Sequence, residues 1–533
     1  MMVLSSRHRK ENAVKRFAHQ YNESITGMIS CFDRILFKGY LPIGWGDAME
    51  GFLGQQGLRI KDFARFVQKQ SRRIAEHAER LAKNSGRPYL YLNGPHRKEA
   101  IVQGLIKAED LRQGLVCVMR VVEPCQSFKL VPGEGRPRLI AARRKCLCFY
   151  FYFLDPKLGL VHVRIQSWFP LVIQVCLNGH DILARKLDKH GIAYHKQDNA
   201  FTWIEDTRRA QRFADRLVKM NWPRILTSLA RRVNPLLKDL LAGMDYYWVT
   251  DQAEYATDVV FKSPAALKPL YDKLVKHAST CFSAEDVLKF LGRKLHGNYQ
   301  GEVLSDYKKR WPGARVKHRA KANWIKMYDK HGRVLRIETV INQPREFKVR
   351  RQGVRKGREV TDWFPLCKGV ANLFRYAEIC RGANRRYLDA LAAVEPPVEA
   401  MRSLRHLARS KRRNGRPHRG FNPTAEDDLR LFAAIFRGEH TMHGMRNQDV
   451  RHQLFGETTD RDLRRRQANK VSRFFRRLHV HGLLAKIPRS RRWRLTQSGT
   501  LLVSVFLQCH YEKYPELLAA TVHTLGRSEG AGW

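Results

Sequence analysis

The sequence predicts an α/β protein with a mixed α+β body and a smaller C-terminal helical module. Three observations lead to this class. The chain has 533 residues, enough for roughly two to four domains with cores of their own. Through residues 1–395, β-branched and aromatic runs typical of strands alternate with segments of helical spacing. A basic stretch containing Pro and Gly then interrupts the apolar pattern, and further helical segments follow it.

Shifts in composition divide the chain into five parts, and no internal sequence repeat is evident. The first two parts form the body, and the second of them contains a conspicuous hairpin pattern at 323–342. The predicted parts are a mixed α/β region (1–240), a second α/β part (241–395), a basic linker (396–423), a helical module (424–512) and a tail (513–533).

The charge balance predicts a polyanionic partner. Lys and Arg number 99 against 50 Asp and Glu, a formal net charge of +49. Such a chain repels itself unless it meets a polyanion. No apolar run reaches the roughly 18 residues that a membrane span needs, so no membrane partner is expected. The basic N-terminus lacks the apolar core of a secretion signal, which predicts a cytoplasmic protein.

Nucleic acid is therefore the expected partner, and region 1–240 is expected to handle it. DNA is the first choice and RNA the alternative, while the oligomeric state stays open. The ten cysteines are scattered without any Cys-x-x-Cys pair, so reduced, buried thiols are expected rather than a structural zinc site. The absence of a Walker loop and of a G-x-G-x-x-G motif predicts no nucleotide motor and no dinucleotide cofactor.

The C-terminal module contains a helix with an apolar stripe and a cationic face. Val471, Phe474, Phe475 and Leu478 follow the i, i+3, i+4, i+7 rule of a packed helix face. Cationic and amide side chains fall opposite that stripe, as suits a helix in the major groove. The predicted DNA-binding residues on the helix are Arg465, Arg466, Asn469, Arg473, Arg476 and Arg477, followed by a basic tip between two strand-like runs at Arg489, Arg491 and Arg492.

This order of elements, with the ending "GLL…RRWRLTQSG" at 482–499, resembles the winged helix of MarR-like regulators. The resemblance covers about 90 residues of the chain. It implies a winged-helix domain at 424–512 that binds duplex DNA. A winged helix that mediates protein contacts, or a merely solvated basic helix, remains the alternative.

The stretch "NWIKMYDKHGRVLRIETVIN" (323–342) reads as two strands around a tight turn, with two possible registers. A two-residue loop would pair Tyr328 with Leu335. A three-residue loop at 331–333 would pair Tyr328 with Arg336 and Lys326 with Glu338. The three-residue loop is predicted because it sorts apolar side chains to one face and polar side chains to the other.

The polar face of this hairpin carries the candidate catalytic residues, Lys326, Tyr328, Arg336 and Glu338. Nearby cations are expected to favour the phenolate of Tyr328, which makes it a candidate nucleophile for a phosphodiester. Glu338 is a candidate base or metal ligand. Two simpler readings stay open: an ordinary water-exposed strand face, and a face that contacts phosphate without chemistry.

The pieces "IKMYDK" and "LRIE" within this stretch resemble a pattern in rolling-circle replication initiators of some plasmids and filamentous phages. The resemblance implies nicking of one DNA strand through a tyrosine and a metal-assisted acidic site. The wider pattern of such nickases includes a His-hydrophobe-His triplet, and here that triplet is His479-Val480-His481. Its place at the end of the cationic helix predicts packing rather than metal binding.

Acidic residues beside strand-like runs are the candidate metal ligands. Asp33 lies in "CFDRILF", where a carboxylate among apolar neighbours must be paired or functional, and Arg34 is expected on the opposite face. Asp251, Glu254 and Asp258 follow "YYWV" and, with Glu338, could form an RNase H-like cluster for Mg²⁺ or Mn²⁺. Salt bridges with the surplus arginines are the structural alternative.

The sequence as a whole predicts a DNA-binding protein of mobile-element, replication or recombination type. Metal-dependent strand nicking, or a transposase-like activity, is an open option that would require Mg²⁺ or Mn²⁺. The alternative is a non-enzymatic transcriptional regulator that needs no cofactor. A third reading is an RNA-binding protein.

Overall fold

The prediction of a mixed α/β protein is confirmed by the structure, a computed structural model. Most of the described chain forms one eleven-stranded sheet with helices packed against it. Among the residues that the structure describes, no helix is both long and apolar enough to cross a membrane. The described residues are 14–94, 96–134, 136–293, 302–309, 314–355, 357–392, 394, 406–422, 425–436, 444–488 and 490–508.

The large sheet has the order β10-β11-β12-β13-β9-β1-β6-β5-β4-β3-β2. All neighbours pair antiparallel except β2 and β3, which are parallel. Its strands are β1 (Ile25–Tyr40), β2 (Tyr89–Tyr91), β3 (Gly114–Val131), β4 (Arg138–Asp155), β5 (Gly159–Gln166), β6 (Ile173–Asn178), β9 (Tyr247–Phe261), β10 (Val303–Lys309), β11 (Ala314–Ala320), β12 (Asn323–Lys330) and β13 (Val334–Ile341).

The sheet consists of two halves with the same topology, although no sequence repeat is evident. In the first half, the meander β3–β4–β5–β6 returns so that β6 pairs with β1. In the second half, the meander β10–β11–β12–β13 returns so that β13 pairs with β9. The leading strands β1 and β9 pair with each other and join the halves. The predicted parts 1–240 and 241–395 therefore share one sheet, and the residues of its central strands come from both.

Ten helices of the described body accompany the sheet. Their buried residues recur at helical spacing, as at Val67, Ile74, Ala78 and Ala82 of the helix Phe63–Asn84. The helices are α1 (Val14–Gln20), α2 (Gly46–Gln55), α3 (Phe63–Asn84), α4 (Lys98–Ala108), α5 (Gly179–Lys189), α6 (Thr207–Arg216), α7 (Trp222–Val233), α8 (Pro264–Thr280), α9 (Ala284–Phe290) and α10 (Leu373–Leu391).

Two small hairpins complete the body. One, formed by β7 (Tyr194–Gln197) and β8 (Ala200–Ile204), follows α5. The other, formed by β14 (Lys348–Arg355) and β15 (Arg358–Pro365), precedes α10. Apolar side chains from both halves of the sheet form the core, in one large cluster for each half. The first hairpin matters for the site because its turn reaches the central strands.

The C-terminal part has a hydrophobic core of its own, which includes Leu429, Phe432, Val471, Phe475 and Leu478. A bridge between Met445 and Trp493 adds to a small two-stranded sheet in this part. Its elements are α11 (Glu426–Ile435), α12 (Asn447–Phe455), α13 (Arg461–Val480), β18 (Leu484–Lys486), β19 (Trp493–Leu495) and α14 (Gln497–Gln508).

The predicted linker, 396–423, is folded over its described residues. Residues 411–418 form a hairpin of β16 (Lys411–Arg413) and β17 (Arg416–His418). Leu407 and Phe421, which flank it, are buried in the C-terminal core. The sequence predicted a basic linker here, and the structure adds that two buried apolar residues anchor the cationic run of 406–422 to the C-terminal core. The tail, 513–533, lies outside the described residues.

Candidate functional site

The hairpin of β12 and β13 has the predicted register. Lys326 lies opposite Glu338, Tyr328 opposite Arg336, and Lys330 opposite Val334, which leaves a three-residue loop. His331 and Gly332 in that loop take positive φ values of 55° and 69°. The predicted three-residue loop is confirmed, and so is the predicted separation of apolar and polar side chains onto opposite faces of the hairpin.

The polar face of this hairpin is buried, so the reading of a water-exposed strand face is wrong. Arg336 is 0% exposed, Glu338 1% and Tyr328 7%. Two elements from the first half of the sheet cover this face. His180, in the first turn of α5, and Asn199, in the β7–β8 turn, both contact the Arg336 guanidinium. The buried polar groups are therefore paired with one another, as burial requires.

Arg336 is the centre of this pairing. Its Nε and Nη2 donate to the two oxygens of Asp258 at 2.6 and 2.7 Å. Its Nη1 donates to Oδ1 of Asp33 at 3.0 Å, and Nη2 also donates to the carbonyl of Asn199 at 2.6 Å. One guanidinium thus joins β13 to β9, β1 and the β7–β8 turn. We call Arg336, Asp33, Asp258 and His180 the arginine network.

His180 lies between the two carboxylates of this network. Its Nδ1 is 3.3 Å from Oδ1 of Asp33, and its Nε2 is 3.4 Å from Oδ2 of Asp258. Burial disfavours the imidazolium, but the contacts with Asp258 and Asp33 outweigh burial and raise the pKa of His180. Burial likewise disfavours the carboxylates, but Arg336 outweighs it and lowers the pKa of both Asp33 and Asp258.

A β-bulge places Asp33 in this network. Phe32 pairs with Tyr255 and Arg34 with Glu254, so Asp33 is the extra residue of β1. A bulge re-aims side chains, and here both Asp33 and Arg34 reach the same polar cluster. The prediction that they occupy opposite faces is wrong, because strict alternation does not hold across the bulge.

Three carboxylates converge on adjacent strands beside the network. Oxygens of Asp33 (β1), Glu254 (β9) and Glu338 (β13) all lie within 4.8 Å of one another. We call these residues the acidic triad. Lys326 Nζ is 2.5 Å from Oε1 of Glu338, and Arg34 Nη2 is 2.7 Å from Oε1 of Glu254. Burial, and then the charge of Glu338, raise the pKa of Glu254.

Two members of the triad lie at the wall of a large cleft of about 1610 Å³ in the first half of the sheet. Asp33, Glu254 and Lys326 line the cleft at this end. Elsewhere the lining includes cationic groups such as Lys107, Arg185 and Lys196. Asp33 and Glu254 are thus buried within the sheet but border a space large enough for a polar ligand.

The donor set fits a hard divalent cation. Carboxylate oxygens are the ligands that Mg²⁺ and Mn²⁺ prefer. The contacts of Asp33 with Asn199, Arg336 and His180 all use Oδ1. Arg34 uses Oε1 of Glu254. In the described part of the chain this leaves Asp33 Oδ2 and Glu254 Oε2 for a further ligand, and a cation would relieve the repulsion that raises the pKa of Glu254.

Two of the predicted metal ligands lie outside the triad. Asp258 forms an ion pair with Arg336. Asp251 pairs instead with Lys38 at 2.8 Å and Lys368 at 3.3 Å. Another shift of register in β9, between its residues 250 and 252, lies at Asp251. The predicted grouping of all three β9 carboxylates is therefore wrong, and Glu254 alone of them joins Glu338.

Tyr328 does not have the environment that the sequence predicted. Its hydroxyl donates to Oε2 of Glu338. Burial, and then the negative charge of Glu338, raise the pKa of Tyr328 well above its usual range. The expectation of a stabilised phenolate is wrong, because burial and the negative charge of Glu338 outweigh the effect of the Arg336 charge on the hydroxyl. Tyr328 is a neutral hydrogen-bond donor in this arrangement.

Most of the predicted DNA-binding side chains on α13 are exposed. Val471, Phe475 and Leu478 are buried, as the apolar stripe predicted. The cationic face opposite them contains the exposed residues Arg465, Arg466, Asn469, Arg473 and Arg476.

Three other predicted DNA-binding residues differ in their surroundings. Arg477 is half-buried: it pairs with Asp428 at 2.8 Å and its guanidinium lies 3.8 Å from the centre of the Phe421 ring. It therefore holds the C-terminal core together instead of joining the exposed face. Arg491 is exposed and Arg492 half-buried. Arg489 lies outside the described residues.

The His479-Val480-His481 triplet packs as the sequence predicted. His479 Nδ1 is 2.9 Å from the carbonyl of Leu484, and His481 Nε2 is 3.1 Å from that of Arg419. Both rings therefore tie the end of α13 to neighbouring backbone.

Sequence reasoning missed His180, Asn199 and the role of Arg34. His180 and Asn199 lie in a helix start and a turn far along the chain from the hairpin they cover. The only sequence signal is weak: both are polar residues directly beside strand-like runs.

Comparisons with models of protein families, with curated proteins and with solved structures gave no match to this chain.

Proposed function

We propose that this chain is a DNA-binding protein that cleaves a phosphodiester bond with the help of a divalent cation at the acidic triad. The observation that carries the proposal is the convergence of Asp33, Glu254 and Glu338 within 4.8 Å at the edge of the large cleft. In a chain of net charge +49, an acidic cluster bordering a cleft is unusual enough to require a reason.

Within this proposal, the three carboxylates hold Mg²⁺ or Mn²⁺, which supplies Lewis-acid activation of a phosphodiester. Lys326 and Arg34 lie beside the triad and stabilise negative charge on a phosphate. Tyr328, neutral and bonded to Glu338, orients that carboxylate. Arg336 and His180 keep the strands in place and fix Asp33 as a carboxylate.

The C-terminal part supports the binding half of the proposal. Its described elements follow the order of a winged helix, namely three helices and then two short strands. We assign it to that fold, with α13 as the recognition helix. Five exposed cationic or amide side chains on one face of α13 suit contacts with duplex phosphates and base edges. Arg477 is excluded from that set because it pairs with Asp428.

Cleavage assays with purified full-length protein test the proposal. Labelled supercoiled and single-stranded DNA are incubated with Mg²⁺, Mn²⁺ or EDTA. Nicking or cleavage that needs the cation and is lost in Glu254→Gln is the expected result. Asp251→Asn is the matched control, since Asp251 lies on the same strand but outside the triad, and it should cleave like the wild type.

Tight binding of duplex DNA without cleavage under any of these conditions would overturn the enzymatic proposal. It would favour a regulator that recognises DNA through α13. Preferential binding of RNA over duplex DNA would overturn the choice of substrate.

A further inference from the structure

A second polar cluster, unrelated to the acidic triad, occupies the other end of the first half of the sheet. Three cysteines lie on one face of the paired strands β3 and β4: Cys125, Cys146 and Cys148. All three are buried as free thiols. Buried thiols in apolar surroundings are normally inert, so the groups in contact with these sulfurs decide whether they react.

Two of the sulfurs are in contact. The Sγ atoms of Cys125 and Cys148 are 3.2 Å apart. A disulfide bond is about 2.05 Å long. Cys148 lies opposite Val121 and Cys125 opposite Arg144, so closure requires the backbones of β3 and β4 to move as well as the sulfurs. A third thiol, Cys146, lies beside them in the same cluster.

A guanidinium bridges the same two sulfurs. Nη2 of Arg164 is 3.1 Å from the Sγ of Cys125 and 3.1 Å from that of Cys148. Arg164 is held in place by its ion pair with Glu123, which also accepts a hydrogen bond from Tyr150 at 2.9 Å. Because an arginine is always charged, this contact favours a thiolate in the pair.

The groups around the two sulfurs shift the pKa values of Cys125 and Cys148 in opposite directions. Hydrogen bonds from Cys146 and Cys148, and then the charge of Arg164, lower the pKa of Cys125 to about 3. The hydrogen bond to Cys125, and then burial, raise the pKa of Cys148. Arg164 and the two neighbouring thiols thus favour the thiolate of Cys125 over that of Cys148, the arrangement of a reactive cysteine next to a resolving cysteine.

We propose that Cys125 and Cys148 form a peroxide-sensitive dithiol, with Cys125 as the reacting thiol and Cys148 as the resolving thiol. In the first step the Cys125 sulfur attacks one oxygen of hydrogen peroxide. The S–O bond forms as the O–O bond breaks, and hydroxide leaves and takes up a proton to become water. The sulfur is oxidised to sulfenic acid and the peroxide is reduced.

In the second step the Cys148 sulfur attacks the Cys125 sulfur. The S–S bond forms as the S–O bond breaks, and the departing hydroxide leaves as water with the Cys148 proton. The sum is two thiols and one peroxide giving one disulfide and two waters. The site does not depend on the proposed cleavage activity, since strands β5 and β6 separate β4 from the central strand β1.

Oxidation of the reduced full-length protein tests this proposal. The protein is treated with hydrogen peroxide, the remaining thiols are alkylated at set times, and peptides are analysed by mass spectrometry. A linked Cys125–Cys148 pair is expected. Cys117, on β3, is the matched control in the same molecule: it is buried, and burial raises its pKa to about 12. Cys125 should react at least about tenfold faster than Cys117.

Variants separate the two steps. Cys148→Ser should stop at the sulfenic acid of Cys125, which dimedone traps. Arg164→Gln should slow the reaction at least about tenfold, and Arg164→Lys should recover part of the rate, because charge rather than shape is responsible. The wild-type comparison needs no variant and holds even if these substitutions impair folding. Equal rates for Cys125 and Cys117, a disulfide through Cys146, or a tightly bound zinc ion on these thiols would each overturn the proposal.

Discussion

Arg336→Met is expected to destabilise the body more than any surface substitution, because Arg336 is the main cation that neutralises two buried carboxylates. Arg336 is fully buried and makes hydrogen bonds of 2.6–3.0 Å to Asp258, Asp33 and the carbonyl of Asn199. Methionine retains the length of the side chain but removes the guanidinium, so that among the described residues only His180 remains between Asp33 and Asp258.

The expected loss follows from the cost of breaking a buried ion pair. Removing one partner of such a pair typically costs about 3–5 kcal/mol. Two carboxylates are affected here, so we expect the upper end, about 5 kcal/mol. The assay is urea unfolding of the full chain, followed by tryptophan fluorescence. Arg319→Met, an exposed position on β11, is the control and should change the free energy of unfolding by about 0.5 kcal/mol or less.

The pH dependence of this loss has a defined sign. In the wild type, Arg336 lowers the pKa of Asp33 and Asp258, so these groups stabilise the fold above the usual pKa of an aspartate and lose that contribution as the pH falls. In Arg336→Met, the two buried carboxyls should protonate at higher pH, so acidification should narrow the difference between variant and wild type. Adding Asp258→Asn should recover part of the loss at neutral pH. A loss no larger than that of Arg319→Met, or one that grows on acidification, would refute the reasoning.

Three further predictions concern the site and the C-terminal part. Cation affinity should weaken as the pH falls, starting above the usual pKa of a glutamate, because the raised pKa of Glu254 brings protonation to higher pH; titration calorimetry with Mn²⁺ across pH measures this, and an affinity independent of pH would contradict it. Tyr328→Phe should lower the cleavage rate by about tenfold or less, and denaturing gels should show no covalent protein–DNA adduct with either protein. An adduct formed by the wild type, together with complete loss of cleavage in Tyr328→Phe, would show instead that Tyr328 is the nucleophile. Arg473→Ala with Arg476→Ala should weaken binding of duplex DNA and reduce the slope of log affinity against log salt concentration by about 1.8. Arg477→Met should instead destabilise the C-terminal core by about 2–3 kcal/mol. Identical effects of the two changes would contradict the conclusion that Arg477 belongs to the core.

The hairpin was predictable because its determinants are local. The register of β12 and β13 follows from alternation and from a glycine that accepts positive φ, and both signals lie within 20 residues of sequence. The apolar stripe of α13 is equally local. In each case one element contains the information that specifies it.

The burial of the polar face was not predictable in this way. The covering groups, His180 and Asn199, are separated from Arg336 by 156 and 137 positions. Their approach depends on the pairing of β1 with β9, which joins two topologically similar halves that share no evident sequence repeat. Local patterns specify which residues share a strand face, but they do not specify what packs on it.

Irregularities in the central strands account for the remaining differences. The bulge at Asp33 turns it and Arg34 toward one cluster, and the register shift at Asp251 separates that residue from Glu254. Neither position contains a Gly or Pro that would signal a bulge. Alternation alone therefore assigned Arg34 incorrectly, while Asp33 and Glu254 were singled out as carboxylates beside strand-like runs and Glu338 by its place on the polar face of the hairpin.

The most direct test of the central claim is the binding of Mn²⁺ to the acidic triad, measured by titration calorimetry at neutral pH on three proteins. The wild type and Asp251→Asn should each bind one cation with the same affinity, and Glu254→Gln should bind it at least about tenfold more weakly. Equal affinity of Glu254→Gln and the wild type, or no binding by the wild type, would contradict the claim that these three carboxylates form a metal site.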